Sequence, residues 1–218
     1  MKKIAVSLCF FVTMTAALFA VAGQGLIWNF DESNVGRVPP GWKDEATNPR
    51  GENVTWEVIT DYREGRQTKV LGMTNANGAS GSTYNICWTD TIAFKDGEIE
   101  VSFKAMSGKE DQGGGPIWRV RDANNYYIAR FNPLEDNFRL YYVKDGARRQ
   151  LDSKNIRLSP GAWHTIKIVH KDSRIKAYLN GKKLLEYNDN TFFEAGGVGV
   201  WTKADASTYF DDLRIISE

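Results

Sequence analysis

Cysteine and histidine are scarce, with two of each in 218 residues. Cys9 falls in an apolar N-terminal run, which leaves Cys87 as the one thiol of the chain that follows. No internal disulfide can then form, and the fold must stand on its core. With His164 and His170 as the only imidazoles, no His/Cys zinc cluster is available, and no Ser or Cys sits in a recognisable nucleophile elbow. A dominant charge is missing too, since 28 Lys and Arg face 27 Asp and Glu. Without a broad positive field, neither nucleic acid nor an anionic membrane surface is an expected partner. Helical periodicity is absent throughout. Past residue 22, no apolar run approaches the roughly 20 residues that a membrane-spanning helix needs.

A leader is present instead. Met1-Lys2-Lys3 is a short basic start, residues 4–19 form an apolar run, and Ala20-Val21-Ala22 is a small-x-small cleavage signal. Residues 1–22 are therefore expected to be a signal peptide and 23–218 one domain, secreted or periplasmic. Leu8 before Cys9 is not the small residue that lipoprotein attachment requires. Removal of Lys2 and Lys3 shifts the formal charge from +1 to −1.

The remaining chain is a succession of short alternating segments at roughly 8–12-residue intervals, the pattern of an all-β, two-sheet antiparallel sandwich. Strands are expected at 26–31, 54–60, 68–74, 84–89, 98–106, 117–121, 126–131, 138–144, 148–151, 163–170, 173–179, 183–187, 197–202 and 208–216. Asp145-Gly146 and Asn180-Gly181 are two-residue hairpin turns, because both central positions of such a turn need positive φ. Residues 36–42, with Pro39-Pro40, read as irregular, and 75–82, rich in Asn, Gly and Ser, as a loop.

Residues 113–131, GGGPIWRVRDANNYYIARF, read as a hairpin carrying the working surface. Simple alternation places Arg119 and Arg121 on one face and Trp118 and Val120 on the other. An exposed row of guanidinium groups, with Arg130, Asp122 and a tyrosine such as Tyr126, is then the expected ligand-binding set. Such groups hold sugars and other polar, oxygen-rich ligands. In the strand at 163–170, His164 and His170 share the face of Ile166 and Ile168, as core or rim residues. Cys87, between Ile86 and Trp88, is expected to be a buried thiol.

Several stretches resemble the concanavalin A-like lectin/glucanase superfamily, in particular secreted laminin G-like modules and the 3-keto-disaccharide hydrolase domain family. They are Trp28-Asn29-Phe30-Asp31 with Pro40-Gly41-Trp42, Gly97-Glu98-Ile99-Glu100-Val101, Trp118-Arg119-Val120-Arg121-Asp122, Gly161-Ala162-Trp163-His164, Tyr178-Leu179-Asn180-Gly181, Gly197-Val198-Gly199-Val200-Trp201 and Tyr209-Phe210-Asp211-Asp212.

The resemblance implies a jelly roll of two curved sheets, with the first and last strands side by side and a sugar-binding groove on the concave face. It implies a carbohydrate-binding domain with no required cofactor. The alternatives are a glycoside hydrolase or lyase acting on (3-keto-)disaccharides or polysaccharide, and a laminin G-like protein-binding module. The family 16 glucanase signature, Glu-x-Asp-x-x-Glu, is absent. Glu98 and Glu100 are the nearest match, at a spacing that could approach the roughly 5.5 Å of a retaining pair. A structural calcium near Asp211, with Asp31 brought close by pairing of the end strands, is a further implied feature.

Overall fold

The computed structural model describes residues 25–218, so the expected signal peptide lies outside the described residues. Fifteen strands run in order: β1 (Leu26–Trp28), β2 (Trp42–Thr47), β3 (Thr55–Arg63), β4 (Arg66–Asn75), β5 (Tyr84–Phe94), β6 (Gly97–Ser107), β7 (Gly115–Asp122), β8 (Asn125–Asn132), β9 (Asn137–Lys144), β10 (Ala147–Asn155), β11 (Trp163–Lys171), β12 (Arg174–Leu179), β13 (Lys182–Asn188), β14 (Gly196–Lys203) and β15 (Ser207–Ser217). They form two antiparallel sheets. Sheet A has the order β13-β12-β11-β6-β15-β4-β3, with β1 paired to β15; sheet B has the order β10-β9-β8-β7-β14-β5-β2. The first and last strands lie side by side, as the resemblance implied, with Trp28 opposite Leu213.

Alternation builds the core. In β6, Ile99, Val101 and Phe103 are buried between the sheets, against Trp56, Leu71, Trp118, Phe131 and Phe210, while Glu98, Glu100, Ser102 and Lys104 face outward. The histidines take the inward parity of β11 as expected, and Cys87 is a buried free thiol. The hairpin turns have the required geometry, with φ of 50° and 77° at Asp145 and Gly146 and 49° and 76° at Asn180 and Gly181. One strand is additional to those expected. The β2 sequence, WKDEAT, exposes Lys43, Asp44 and Glu45 in succession, so no alternation announces it, and only its pairing with β5 defines it.

Sheet B curls upon itself. Its outer face carries a second apolar cluster, including Tyr84, Ile86, Trp88, Tyr126, Tyr141 and Trp201, all at most 5% exposed although no third layer covers them. The cover comes from the opposite corner of the same sheet. At the end of β2 the Thr47 hydroxyl donates to the Ala123 carbonyl and lies 2.7 Å from the Tyr126 hydroxyl, while Asn48 Nδ2 donates to Gly146 O at 2.8 Å. One edge of the sheet is thus pinned to the β7–β8 and β9–β10 turns, and the outer face of sheet B is the concave face of the molecule.

Candidate functional site

The exposed arginine row expected on β7 is not formed, because β7 carries a bulge. Val198 pairs with Trp118 but Gly197 with Val120, so Arg119 is the extra residue, held at φ 47°. A bulge re-aims side chains, and the parity changes across it. Trp118 points into the core between the sheets and Val120 into the concave cluster, opposite faces rather than a shared one. Arg119 is 1% exposed. It donates to the carbonyls of Lys95 (2.9 Å), Phe192 (2.5 Å) and Asp172 (3.1 Å) and pairs with Asp96 at 3.2 Å, so it ties three loops together. Beside it Trp118 Nε1 donates to His170 Nδ1 at 2.9 Å; burial and the Arg119 charge push the pKa of His170 down to about 3 and keep it neutral.

The other expected ligand residues separate likewise. Arg121 is exposed over the Phe192 ring, and Asp122 accepts from Asn124 N and Asn125 Nδ2 within its own turn. Tyr126 faces the concave side but is fully buried under Thr47, whereas Tyr127 faces the core, stacked on Trp118 and bonded to Asp189. Of the set, Arg130 reaches the concave face together with a polar network.

That network is built by the outward residues of β8, β9, β10 and β14. Arg130 donates to Asn137 Oδ1 (3.1 Å), Glu135 (2.9 Å) and Tyr141 Oη (3.3 Å), and Arg139 shares the same Glu135 at 3.0 Å. Lys203 pairs with Asp111 at 3.0 Å, and Asn132 Nδ2 donates to the other oxygen of Asp111. Arg148 lies over the rings of Tyr141 (4.5 Å), Tyr84 (5.0 Å) and Trp201 (5.8 Å). The rings form a floor, and the charged groups stand on it.

The two carboxylates of this network are displaced in opposite directions. Burial raises the pKa of Asp111 against the pull of Arg130 and Lys203. Burial acts the same way on Glu135, but hydrogen bonds from Asn137 and Arg130 outweigh it and bring the carboxyl down to about 2. The segment carrying Asp111 is itself anchored. Asp205 accepts the backbone N–H groups of Lys109, Glu110 and Asp111, which hold its pKa low despite burial.

At the other end of the same face, Trp88 lies flat over β14. Its Nε1 donates to Glu45 at 2.8 Å, and Lys43, paired with Asp90, sits 4.5 Å above the ring.

Glu98 and Glu100 lie elsewhere. They face outward from sheet A, where with Lys167, Arg214 and Ile216 they line a shallow depression of about 110 Å³, and Glu98 pairs with Lys167 at 3.4 Å. They share neither a sheet nor a face with the concave network.

Asp31 and Asp211 do not converge on a cation site. One oxygen of Asp31 accepts from Lys69 N and the Thr68 hydroxyl, while Asp211 is paired with Arg63 at 3.3 Å. Among the described residues no group of three or more His, Cys, Asp or Glu is placed to hold a metal.

Asp211 gives a pH prediction. Burial, with the charge of Asp212 adding to it, raises its pKa from 3.8 to about 7 despite Arg63. A carboxyl that binds its proton more tightly when folded contributes stability that is complete below pH 3.8 and lost as pH rises through about 7. Asp211→Asn is therefore expected to be more stable than wild type at pH 8, by on the order of 2 kcal/mol, and no more stable at pH 4. Urea denaturation at both pH values checks this; a difference that does not change with pH excludes the titration.

Sequence reasoning missed Tyr84, Tyr141, Arg148, Trp201 and Lys203 as site residues, along with Asp111 and Glu135. The available signal was parity, since Arg130 shares its face with Asn132, and its neighbours Arg139 and Tyr141 alternate on the next strand. Nothing local links β10 to β5 and β14; only the curl of the sheet does.

The family model for the 3-keto-alpha-glucoside-1,2-lyase-like domain matches residues 30–216. A search of curated proteins found no match. Among solved structures the chain is similar to a GH16 protein of the mixed linkage glucan system of Bacteroides ovatus, at 13% identity and TM-score 0.61, covering 87% of this chain and 99% of that one. The carbohydrate binding module CBM66 from Bacillus subtilis aligns at 19% identity and TM-score 0.59, covering 79% and 93%. A Bacillus licheniformis beta-glucanase aligns at 13% and 0.59, covering 90% and 99%. At these identities the likeness is one of fold, the jelly-roll sandwich.

Proposed function

The chain belongs to the family of 3-keto-alpha-glucoside-1,2-lyase-like domains, and from this premise we propose that the concave face of sheet B binds a carbohydrate. The observation that carries the reading is the polar network on the aromatic floor. Arg139, Lys203 and Glu135 have side chains 30%, 17% and 43% exposed, and they present directional donors and an acceptor on the concave face. Sugar hydroxyls are recognised by such groups when a rigid sheet fixes their positions. A structural calcium is no part of this reading, since Asp211 is engaged by Arg63, and Asp31 by Thr68 and Lys69. The signal-like sequence of residues 1–22, basic then apolar then small-x-small, favours a secreted or periplasmic location, where a glycan ligand would be met.

The test is calorimetric titration of residues 23–218 with a panel of oligosaccharides, including 3-keto disaccharides. Binding that weakens at least tenfold in Arg139→Ala supports the reading. Failure of every sugar to bind, or binding untouched by Arg139→Ala, removes the concave face as the site.

A second reading, elimination across C1 and C2 of a 3-keto sugar, is favoured by the opposite displacement of Asp111 and Glu135. In that chemistry the proton on C2, acidified by the neighbouring ketone, passes to a base as the C1–O bond breaks and a C1–C2 double bond forms. The departing oxygen then takes a proton. Asp111, whose proton affinity is raised, is the candidate base, and Arg130 and Lys203 are the cations beside it for charge developing on the ketone oxygen. Conjugated enone absorbance that appears with a 3-keto disaccharide and is lost in Asp111→Asn would establish this route.

A further inference from the structure

The charges on the concave face do not balance. At the network end four cations, Arg130, Arg139, Arg148 and Lys203, stand with two carboxylates, Glu135 and Asp111. Arg130 and Arg139 share Glu135, and Lys203 takes Asp111. Arg148 pairs with no carboxylate among the described residues. It is partly buried, its Nη1 has no hydrogen-bond partner, and neither has the Nε of Arg130, a side chain 1% exposed.

Elsewhere the buried cations are matched, Arg119 by Asp96 and Lys104 by Asp61; Lys43 has Asp90 at the far end of the same face, and Arg63 on sheet A has both Asp211 and Asp212. The excess is therefore local, in a chain whose totals nearly cancel. Rings beneath Arg148 relieve part of the cost of holding it there, but they do not neutralise it.

Resting on the carbohydrate reading above, we propose that the ligand is an acidic sugar whose carboxylate is taken by Arg148 and Arg139. A guanidinium is planar and presents parallel N–H donors that match the two oxygens of a carboxylate, whereas a pair of neutral hydroxyls lacks the charge that would offset the two arginines. The ring of the uronic acid unit then lies against Glu135 and Lys203, where its hydroxyls meet an acceptor and a donor.

The experiment titrates residues 23–218 with three oligosaccharide sets of equal length, neutral, uronic acid-containing and sulfated, in low and high salt. The expected result is uronate binding at least tenfold tighter than neutral, weakening with salt. The preference should fall to less than threefold in Arg148→Gln and in Arg139→Gln, with melting temperatures showing that both variants are folded. Neutral sugars bound as tightly as uronates, without salt dependence, overturn the acidic assignment and leave carbohydrate binding intact. Sulfated sugars bound tighter than uronates overturn the carboxylate. No binding in any arm removes the carbohydrate reading and this proposal with it.

Discussion

Arg119→Ala is expected to destabilise the protein by about 3–5 kcal/mol, the cost of breaking a buried charge network. For a domain of this size that is a loss of roughly 6–20 °C in melting temperature. Three carbonyl oxygens and Asp96 would lose their shared donor at once: Lys95 in the β5–β6 turn, Asp172 in the β11–β12 turn and Phe192 in the segment before β14. Lysine cannot replace it, because a single ammonium does not reach acceptors fanned around a planar fork. Arg119→Lys should therefore recover little. Arg121→Ala, two residues on and exposed, should cost less than about 0.5 kcal/mol. Thermal denaturation followed by circular dichroism compares the three. A shift of no more than about 2 °C for Arg119→Ala would show that the loops hold without it.

Gly199→Ala should be nearly as damaging. Its φ is ordinary, so only space is at issue. A Cβ there would stand 2.4 Å from the Cys87 carbonyl oxygen and 2.5 Å from Trp88 Cβ, and one on Gly197 would stand 2.7 Å from the Trp88 ring. The two glycines leave the bare strip of β14 on which the indole lies, and neither close neighbour is the free end of a flexible side chain. Overpacking of this kind costs about 3 kcal/mol. Because β14 and β5 must separate to admit the methyl, the near-ultraviolet circular dichroism of the aromatic cluster should fall with the stability. Chemical denaturation and that spectrum together check the prediction. Wild-type stability with an unchanged spectrum would mean that Trp88 moves aside freely.

These two residues also mark what can be read from the chain before folding. Strand positions were legible because alternation and turn chemistry are local. Ile99, Val101 and Phe103 announce their buried face, and Asp145-Gly146 requires the geometry it adopts. Arg119 was misplaced because a bulge is one residue that no period reveals, and it reverses the parity of everything after it until the turn. Strand β2 was invisible because its pairing with β5 spans some forty residues and its own composition is that of a loop. Glu98 and Glu100 alternate with the buried Ile99 and Val101, so both acids lie on the outward face of β6. Which of two sheets is concave, however, is decided by contacts such as Thr47 with Ala123, 76 positions apart. Arg148 shows the same limit, since a strand with Ala147, Arg149 and Gln150 exposed gives no sign that one of its side chains will lie on rings from β5, β9 and β14.

Strand β15 lies inside sheet A, between β6 and β4, and β1 also pairs with it. The strand that joins the two halves of that sheet is therefore the one latest in chain order. Without it, β3 and β4 have no partner toward β6, and β1 has none at all. Sheet A closes only through pairings such as Gly97 with Ser217 and Leu26 with Ile215, more than a hundred residues apart, so closing a long loop of chain is the step that sets how fast this domain folds.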